Sequence, residues 1–570
     1  MRTTGADILC QALHAQGARV LFGHPGGAIL PFYDALHRDG RLRHVLVRHE
    51  QGAAHAADGF ARATGEVGVC VSTSGPGATN LVTGLATAMA DSVPMVAITG
   101  QVSRAVLGTE AFQETDILGI TAPVTKYGFL PGSADEIPGI VAEAFRLARS
   151  GRPGPVLVDL PKDIQTEAVS EGIRASLACS GEASPQAPDF PGDTVTHLMI
   201  RCAAALLDRA ERPVLMIGRG VLLAGMVETV RKLAEWAELP VATTLLGLDA
   251  FPAGHALALG LPGMHGTPRA NRAIQEADVI LGLGLRFDDR IVGRAEDFAP
   301  WARIVHFDID PSVIGRTVRP AVSVRGDLAD TLPLLAGRVR PRARPEWMRR
   351  LQEWEREAEP LTPAPAEGRP HARTVLRVVA NEVSRARGIV VTDVGQHQMW
   401  MAQELPDMEP RSHLTSGGMG TMGYSLPAAI GAAVGCPDRD VWVVAGDGGF
   451  QMTLHELATA VQERCRLRIV VVNNGYLGMV RQWQEHFYEG RYAASEITGP
   501  DFAALAQAYG VPGRTVACGA TLGDAVEWAG AADGPVLLDL HVAREDNVYP
   551  FVPAGAPLHE FVTAARAAVS

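Results

Sequence analysis

Val441-Trp-Val-Val-Ala445 runs without a break into Gly446-Asp447-Gly448-Gly449, and a second apolar run beginning at Arg468 ends in Asn473-Asn474-Gly475. Apolar, mostly β-branched residues followed directly by a glycine-rich turn predict a strand that opens into a tight loop. Asp447 and Asn474 are 27 residues apart, the length of one β-α-β crossover, which delivers both strand ends to the same edge of a parallel sheet. Ligands bind at that edge. An Asp carboxylate, an Asn carbonyl and neighbouring main-chain carbonyls are the hard oxygen donors that Mg²⁺ takes, with positions left over for phosphate oxygens. The glycines let backbone N–H groups approach a phosphate at the start of the next helix. Gly-Asp-Gly alone is a common turn; the asparagine pair at this separation turns the balance toward a binding site.

The pattern extends outward along the chain. Short apolar runs at 67–72, 94–99, 155–160, 213–217, 278–283, 303–308, 389–393, 441–445, 468–473 and 535–540 alternate with Ala-rich segments of helical length. Near-continuous apolar strands between helices belong to parallel sheets covered on both faces, so the expected fold class is α/β, with doubly wound parallel-sheet domains. Two stretches interrupt the pattern. The first, 166–195, holds Ser180-Gly-Glu-Ala-Ser-Pro-Gln-Ala-Pro188; the second, 336–370, holds Arg340-Pro-Arg-Ala-Arg-Pro345 and Pro360-Leu-Thr-Pro-Ala-Pro365. Both read as linkers, with an exposed helix expected over 346–359. Domains are therefore expected at 1–165, 196–335 and 371–550, with a tail over 551–570. Gly154-Pro-Val-Leu-Val-Asp-Leu160 recurs as Gly534-Pro-Val-Leu-Leu-Asp-Leu540, which fits one sheet topology in the first and last domains, although two buried strands can also agree by chance.

The 570 residues carry 51 Lys plus Arg against 63 Asp plus Glu, a formal net charge of −12. That balance argues against nucleic acid or an anionic membrane surface as a partner. Hydrophobic residues at 47% and charged residues at 20% describe a globular chain, and 61 glycines and 38 prolines supply many turns. The seven cysteines form no CxxC pair, so neither a disulfide framework nor a zinc site is expected. No apolar run is long enough to span a bilayer and no apolar leader follows the N-terminus, which makes a cytoplasmic location the expectation.

Gly446-Asp-Gly through Asn473-Asn resembles the diphosphate-anchoring motif of thiamine diphosphate enzymes. Arg48-His-Glu-Gln-Gly-Ala-Ala-His55 is similar to the segment that supplies their activating glutamate, here Glu50. In that chemistry a carboxyl group hydrogen-bonded to N1′ of the aminopyrimidine favours the imino tautomer, whose nitrogen takes the thiazolium C2 proton. A zinc reading of His49-Glu50 fails, because His55 is six residues from His49 and faces another side of a helix. Further segments resemble the acetolactate synthase (acetohydroxyacid synthase) catalytic-subunit family: Gly23-His-Pro-Gly-Gly-Ala28, Thr73-Ser-Gly-Pro-Gly-Ala-Thr-Asn80, Ala111-Phe-Gln-Glu114, Gly263-Met-His-Gly266, Arg286-Phe-Asp-Asp-Arg290, Asp393-Val-Gly-Gln-His-Gln398 and Gly475-Tyr-Leu-Gly-Met-Val-Arg-Gln-Trp-Gln484. They follow the family's order through nearly the whole chain.

The resemblance implies a pyrimidine-binding domain, a central FAD-binding domain and a diphosphate-binding domain. Glu50 would contact the aminopyrimidine, while Met422 and Gly420 would hold thiamine diphosphate bent. Asp447, Asn474 and the main-chain carbonyl of Tyr476 would bind Mg²⁺, with Gln396, His397, Gly446, Gly448, Gly449, Leu477 and Gly478 around the diphosphate. Arg152, Gly218, Arg219, Gly220, Met264, His265, Arg286, Asp288, Arg290, Asp308 and Asp327 match FAD-contacting positions. Gly27, Phe112, Gln113, Lys162, Met264, Arg290, Met479 and Trp483 match positions around the substrate, and of these Gly27, Gln113, Lys162, Arg290 and Trp483 join Glu50 and Met422 as the expected catalytic set.

Plainer alternatives exist. Met422, Met479 and Trp483 could be core residues, and Arg290 could pair locally with Asp288. Gly218-Arg-Gly-Val-Leu-Leu-Ala-Gly225 is not GxGxxG and does not by itself indicate a dinucleotide site. Ser103 and Leu285 depart from the family's usual Pro and Ala.

The activity implied is decarboxylation of pyruvate and ligation of its two-carbon unit to a second 2-oxo acid, giving 2-acetolactate from pyruvate or 2-aceto-2-hydroxybutyrate from 2-oxobutyrate, at the first common step of branched-chain amino acid biosynthesis. A carboligase with another donor or acceptor, an FAD-dependent 2-oxo acid oxidase and a catalytically silent paralogue are the competing readings. The expected assembly is a homodimer or homotetramer with active sites between subunits, and a small regulatory subunit is a further possible partner.

Overall fold

The computed structural model describes residues 3–173, 194–357 and 369–563. The Pro-rich stretches at 180–188 and 360–365, and the end of the expected tail from 564, lie outside these residues.

Three six-stranded sheets, parallel throughout, organise the chain. The first contains β1 (Val20–Gly23), β2 (Arg43–Leu46), β3 (Gly68–Ser72), β4 (Met95–Gln101), β5 (Tyr127–Phe129) and β6 (Pro155–Pro161) in the order β2-β1-β3-β4-β6-β5. The second contains β7 (Pro213–Ile217), β8 (Val241–Thr243), β9 (Ala258–Gly260), β10 (Val279–Leu283), β11 (Arg303–Asp308) and β12 (Val322–Arg325), in the order β12-β11-β10-β7-β8-β9. The third contains β13 (Ile389–Thr392), β14 (His413–Thr415), β15 (Val441–Gly446), β16 (Leu467–Asn473), β17 (Gly513–Val516) and β18 (Val536–His541), in the order β14-β13-β15-β16-β18-β17.

The α/β reading therefore holds, and the first and third sheets share one strand order. β6 and β18, which carry the echoed heptapeptide, occupy equivalent places in it. The central sheet has a different topology. Its chain moves outward from β7 to β9 and returns to β10 on the far side of β7, the order of dinucleotide-binding folds, whose ligand crevice opens where the winding reverses. The inner strands are apolar because both faces are covered: β3, β4, β6, β7 and β10 are buried along their whole length.

The first and third domains share a hydrophobic core that contains Phe22, Ala57 and Leu85 beside Leu426, Ile430 and Ile469. At its centre the helix Glu50–Thr64 crosses the helix Ser425–Gly435. The backbones meet at glycines: a Cβ on Gly59 would lie 1.9 Å from the carbonyl oxygen of Ala428, and one on Gly431 would lie 1.8 Å from that of Ala56.

One expectation needs correction. A helix forms at Pro345–Arg356, but it is not exposed: Trp347, Leu351 and Trp354 are buried in the core of the central domain. Its apolar residues recur at three- and four-residue spacing, so one face packs while the charged face meets solvent. Leu558, from the expected tail, is buried in the same core.

Candidate active site

The carboxyl ends of β13, β15 and β16 enclose a pocket lined by Val394, Gln396, His397, Met422, Gly446–Gly449, Asn474, Tyr476, Leu477, Gly478 and Met479. It lies at the edge predicted from the crossover, beside the point where the winding of the third sheet reverses. The helices Gln396–Glu404 and Gly478–Phe487 both begin there, so their free N–H groups favour an anion.

Close approach explains the glycines. A Cβ on Gly449 would sit 2.5 Å from Asp393 Oδ1, and one on Gly478 would sit 2.0 Å from Gln396 Oε1. Asp447 accepts from the N–H of Gly448 at 3.0 Å and of Gly475 at 2.7 Å, and Asn474 Oδ1 accepts from Tyr476 N–H at 3.0 Å. Burial pushes the Asp447 carboxyl up to about 6 and the His397 imidazole down to about 4. His397 Nε2 is buried without a protein partner.

The segment bearing Gly420 and Met422 is placed by Asp393 at the end of β13. Its carboxylate accepts from the N–H groups of Gly423 at 2.9 Å and Ser425 at 3.0 Å, and from the Ser425 hydroxyl at 2.8 Å. Asp393 stands within a sequence motif, but no neighbouring residue marks its role, because its partners lie some 30 residues away.

Glu50 stands elsewhere, as the first residue of the helix Glu50–Thr64. Its Oε2 accepts from Asn80 Nδ2 at 2.9 Å, and its Oε1 would lie 3.1 Å from a Cβ on Gly77. Gln113 packs on Gly75, and Gly27 lies in the loop after β1, where Ala28 N–H donates to Thr73 Oγ1. Lys162 opens a short helix whose Gln165 bonds the Ala28 carbonyl. Glu50, Gln113 and the loop that holds Gly27 thus gather around the segment 73–80. No first-domain residue lines the Asp447 pocket, and Glu50 lies outside it.

Three models of the thiamine pyrophosphate enzyme class match the chain: the N-terminal TPP binding domain at residues 3–120, the central domain at 200–335 and the C-terminal TPP binding domain at 393–540. The chain is 46% identical over 566 residues to the acetolactate synthase large subunit of Parasynechococcus marenigrum, covering 97% of this chain and 90% of that protein. The chain belongs to the acetolactate synthase family. The isozyme 2 large subunit of Escherichia coli K12 is 44% identical, covering 98% and 99% of the two chains. The probable large subunit of Methanocaldococcus jannaschii is also 44% identical, covering 99% and 95%.

With the acetolactate synthase family as the frame, the central cleft can be read. It opens at the reversal point between β7 and β10 and is lined by Arg152, Gly218, Arg219, Gly220, Arg286, Asp288, Arg290, Asp308 and Asp327, nine of the eleven residues matched to FAD. Met264 and His265 are not in its lining. His265 is buried, its carbonyl accepting from Gln403 Nε2 at 3.1 Å, and Met264 Sδ accepts from Arg290 at 3.1 Å. The local ion pair considered for Arg290 is made by Arg286 instead, 3.2 Å from Asp288. Arg152 reaches Asp310 at 3.3 Å and Ser92 at 2.8 Å; neither partner was foreseen, although Asp310 stands two residues from the predicted Asp308. Gly218 and Gly220 carry no dinucleotide fingerprint, yet a Cβ on either would collide with the backbone of Gly284 at about 2.5 Å, which keeps the crevice floor narrow. Phe112 is 89% exposed and Trp483 40% exposed, so neither is a core residue.

Proposed function

We propose that the protein is a thiamine diphosphate-dependent acetolactate synthase that decarboxylates pyruvate and joins its two-carbon unit to pyruvate or 2-oxobutyrate. The observation that carries this reading is the pocket itself: Asp447, Asn474, Tyr476 and His397 line it together at one sheet edge in a chain similar along its length to acetolactate synthases. Thiamine diphosphate supplies the electron sink for decarboxylation when bound.

The chain's own groups fit that cofactor with Mg²⁺. Asp447, Asn474 and the Tyr476 carbonyl are the hard oxygen donors the ion prefers, and the unpartnered His397 Nε2 can bond a diphosphate oxygen. Met422 would support the bend, and Glu50 would share a proton with N1′. FAD fits the central cleft, where Arg219 Nε and Asp288 Oδ1 are buried without protein partners; Arg152 and Asp308 would complete its polar contacts. Gly27, Gln113, Lys162, Arg290, Met479 and Trp483 would surround the substrates.

The place of Glu50 outside the Asp447 pocket supports a homodimer in which one chain's Glu50 serves the other's Asp447 pocket. The designation of relatives as large subunits supports a small regulatory partner. Among the described residues no helix is long and apolar enough to cross a membrane. Gas chromatography of products from pyruvate plus 2-oxobutyrate, run beside an oxygen electrode, tests the assignment. Acetohydroxy acids formed without oxygen uptake are expected; oxygen consumed in step with product would overturn it.

A further inference from the structure

We propose that Glu456 is a positioning residue for Glu50, a step that rests on the role given to Glu50 above. Glu456 belongs to the third domain and is fully buried, yet its carboxylate serves the first domain. Its Oε1 accepts from the backbone N–H of Arg48 at 3.0 Å and of His49 at 3.1 Å, the two residues before Glu50. Its Oε2 accepts from the Thr459 hydroxyl at 2.6 Å. Room for it exists because residue 52 is glycine: a Cβ there would lie 2.4 Å from Oε1.

A negative group at this end of a helix also complements its dipole. The consequence is directional. The N–H groups fixed by Glu456 set the backbone from which the Glu50 side chain leaves, while Asn80 fixes the carboxyl group at its other end. Glu456 closes the short helical segment that begins at Asp447, so the segment that starts at the expected metal ligand ends against the start of the expected activating helix.

The loss of this one buried acceptor leaves both the Arg48 and the His49 N–H groups unpaired and lets the helix start shift; displacements of about 1 Å at a reacting group cost up to roughly 10²-fold. The test uses the full chain with thiamine diphosphate and Mg²⁺. Thiazolium C2 hydrogen–deuterium exchange is read by NMR after acid quench, cofactor binding by fluorescence titration, and folding by melting. Glu456→Ala should slow exchange by roughly tenfold or more while cofactor affinity stays within about threefold. Glu456→Gln should restore most of the rate, since an amide oxygen can accept both N–H groups and its NH₂ can face Thr459.

Gly52→Ala, which drives a Cβ against the carboxylate without opening a cavity, should also slow exchange and provides the test if Glu456→Ala does not fold. Parental exchange in either folded variant overturns the proposal. Glu50→Gln separates the two claims: it should slow exchange by about 10² or more. A parental rate there overturns the role of Glu50 and this proposal with it; slow exchange there beside a parental rate in Glu456→Ala overturns the proposal alone.

Discussion

Trp483 meets Phe487 edge-on at 6.2 Å and leaves 40% of its surface exposed, which leaves part of the indole open to contact with a ligand. Pyruvate and 2-oxobutyrate differ by one methylene, worth about 1 to 3 kcal/mol in a fitted pocket. Trp483→Leu should lower the preference for 2-oxobutyrate over pyruvate by roughly tenfold without changing the melting temperature; competition between the two oxo acids measures it, and an unchanged product ratio removes Trp483 from the acceptor pocket. Asp159 gives a prediction about pH. Burial pushes its carboxyl up to about 7, against the opposing hydrogen bonds from Thr99 at 2.7 Å and Gln101 at 2.9 Å. The folded state then holds a proton that the unfolded chain releases above about pH 4. This contribution to stability is complete below about pH 4 and is lost as pH rises through about 7. Asp159→Asn, neutral throughout, should flatten the fall in melting temperature across that window; an unaltered slope would count against the assignment. Glu50, Asp447 and Asn474 stand out as candidates in the sequence because each sits in a recognisable local motif. Asp393 and Glu456 do not, because each binds backbone N–H groups distant in the chain, and no local pattern marks a carboxylate whose partner is another segment's main chain.

Ten of the eighteen strands among the described residues were legible as apolar runs, and most of those that escaped lie at sheet edges. β2, β5, β9, β12, β14 and β17 are the six sheet edges, where one side of the strand has no neighbour and the sequence turns short or polar: β2 is Arg-His-Val-Leu and β12 alternates buried and exposed residues. β1 and β8, next to edges, have only four and three residues. The echoed heptapeptide, ambiguous as sequence, gains meaning from its aspartates. Asp159 on β6 bonds Thr99 on the neighbouring β4, and Asp539 on β18 bonds Asn473 on the neighbouring β16 at 2.9 Å, so equivalent strands carry an equivalent lateral tie. The helix Pro345–Arg356 was visible as a helix but not as packing, since Pro-rich flanks suggested a linker and only the fold supplies the surface its tryptophans cover. Trp354→Ala should therefore cost about 3 to 5 kcal/mol, seen as a lower melting temperature; no change would return this helix to the solvent-exposed role expected from its flanks.

The proposed homodimer, with Glu50 and the Asp447 pocket contributed by different chains, makes the active unit larger than the chain. Specific activity should fall on dilution below the dimer dissociation constant, in parallel with the change of mass seen by analytical ultracentrifugation; activity that persists in a population of monomers would disprove a shared site. Within the chain, the first and third domains are joined by reciprocal notches: Gly59 lies three residues beyond Ala56, Gly431 three beyond Ala428, and each glycine receives the other helix's alanine carbonyl. Gly431→Ala should destabilise by about 1 to 3 kcal/mol or more, because the obstructing atom is backbone and cannot rotate away; a parental melting temperature would show that the crossing yields. The two notches also decide which motions the pair of domains can make. Sliding one helix along the other by even a residue would lift both alanines out of their notches together and bring side chains against main chain at two points, so translation is blocked in both directions. The crossing is a keyed joint, and any breathing between the two domains must proceed as a rotation about it.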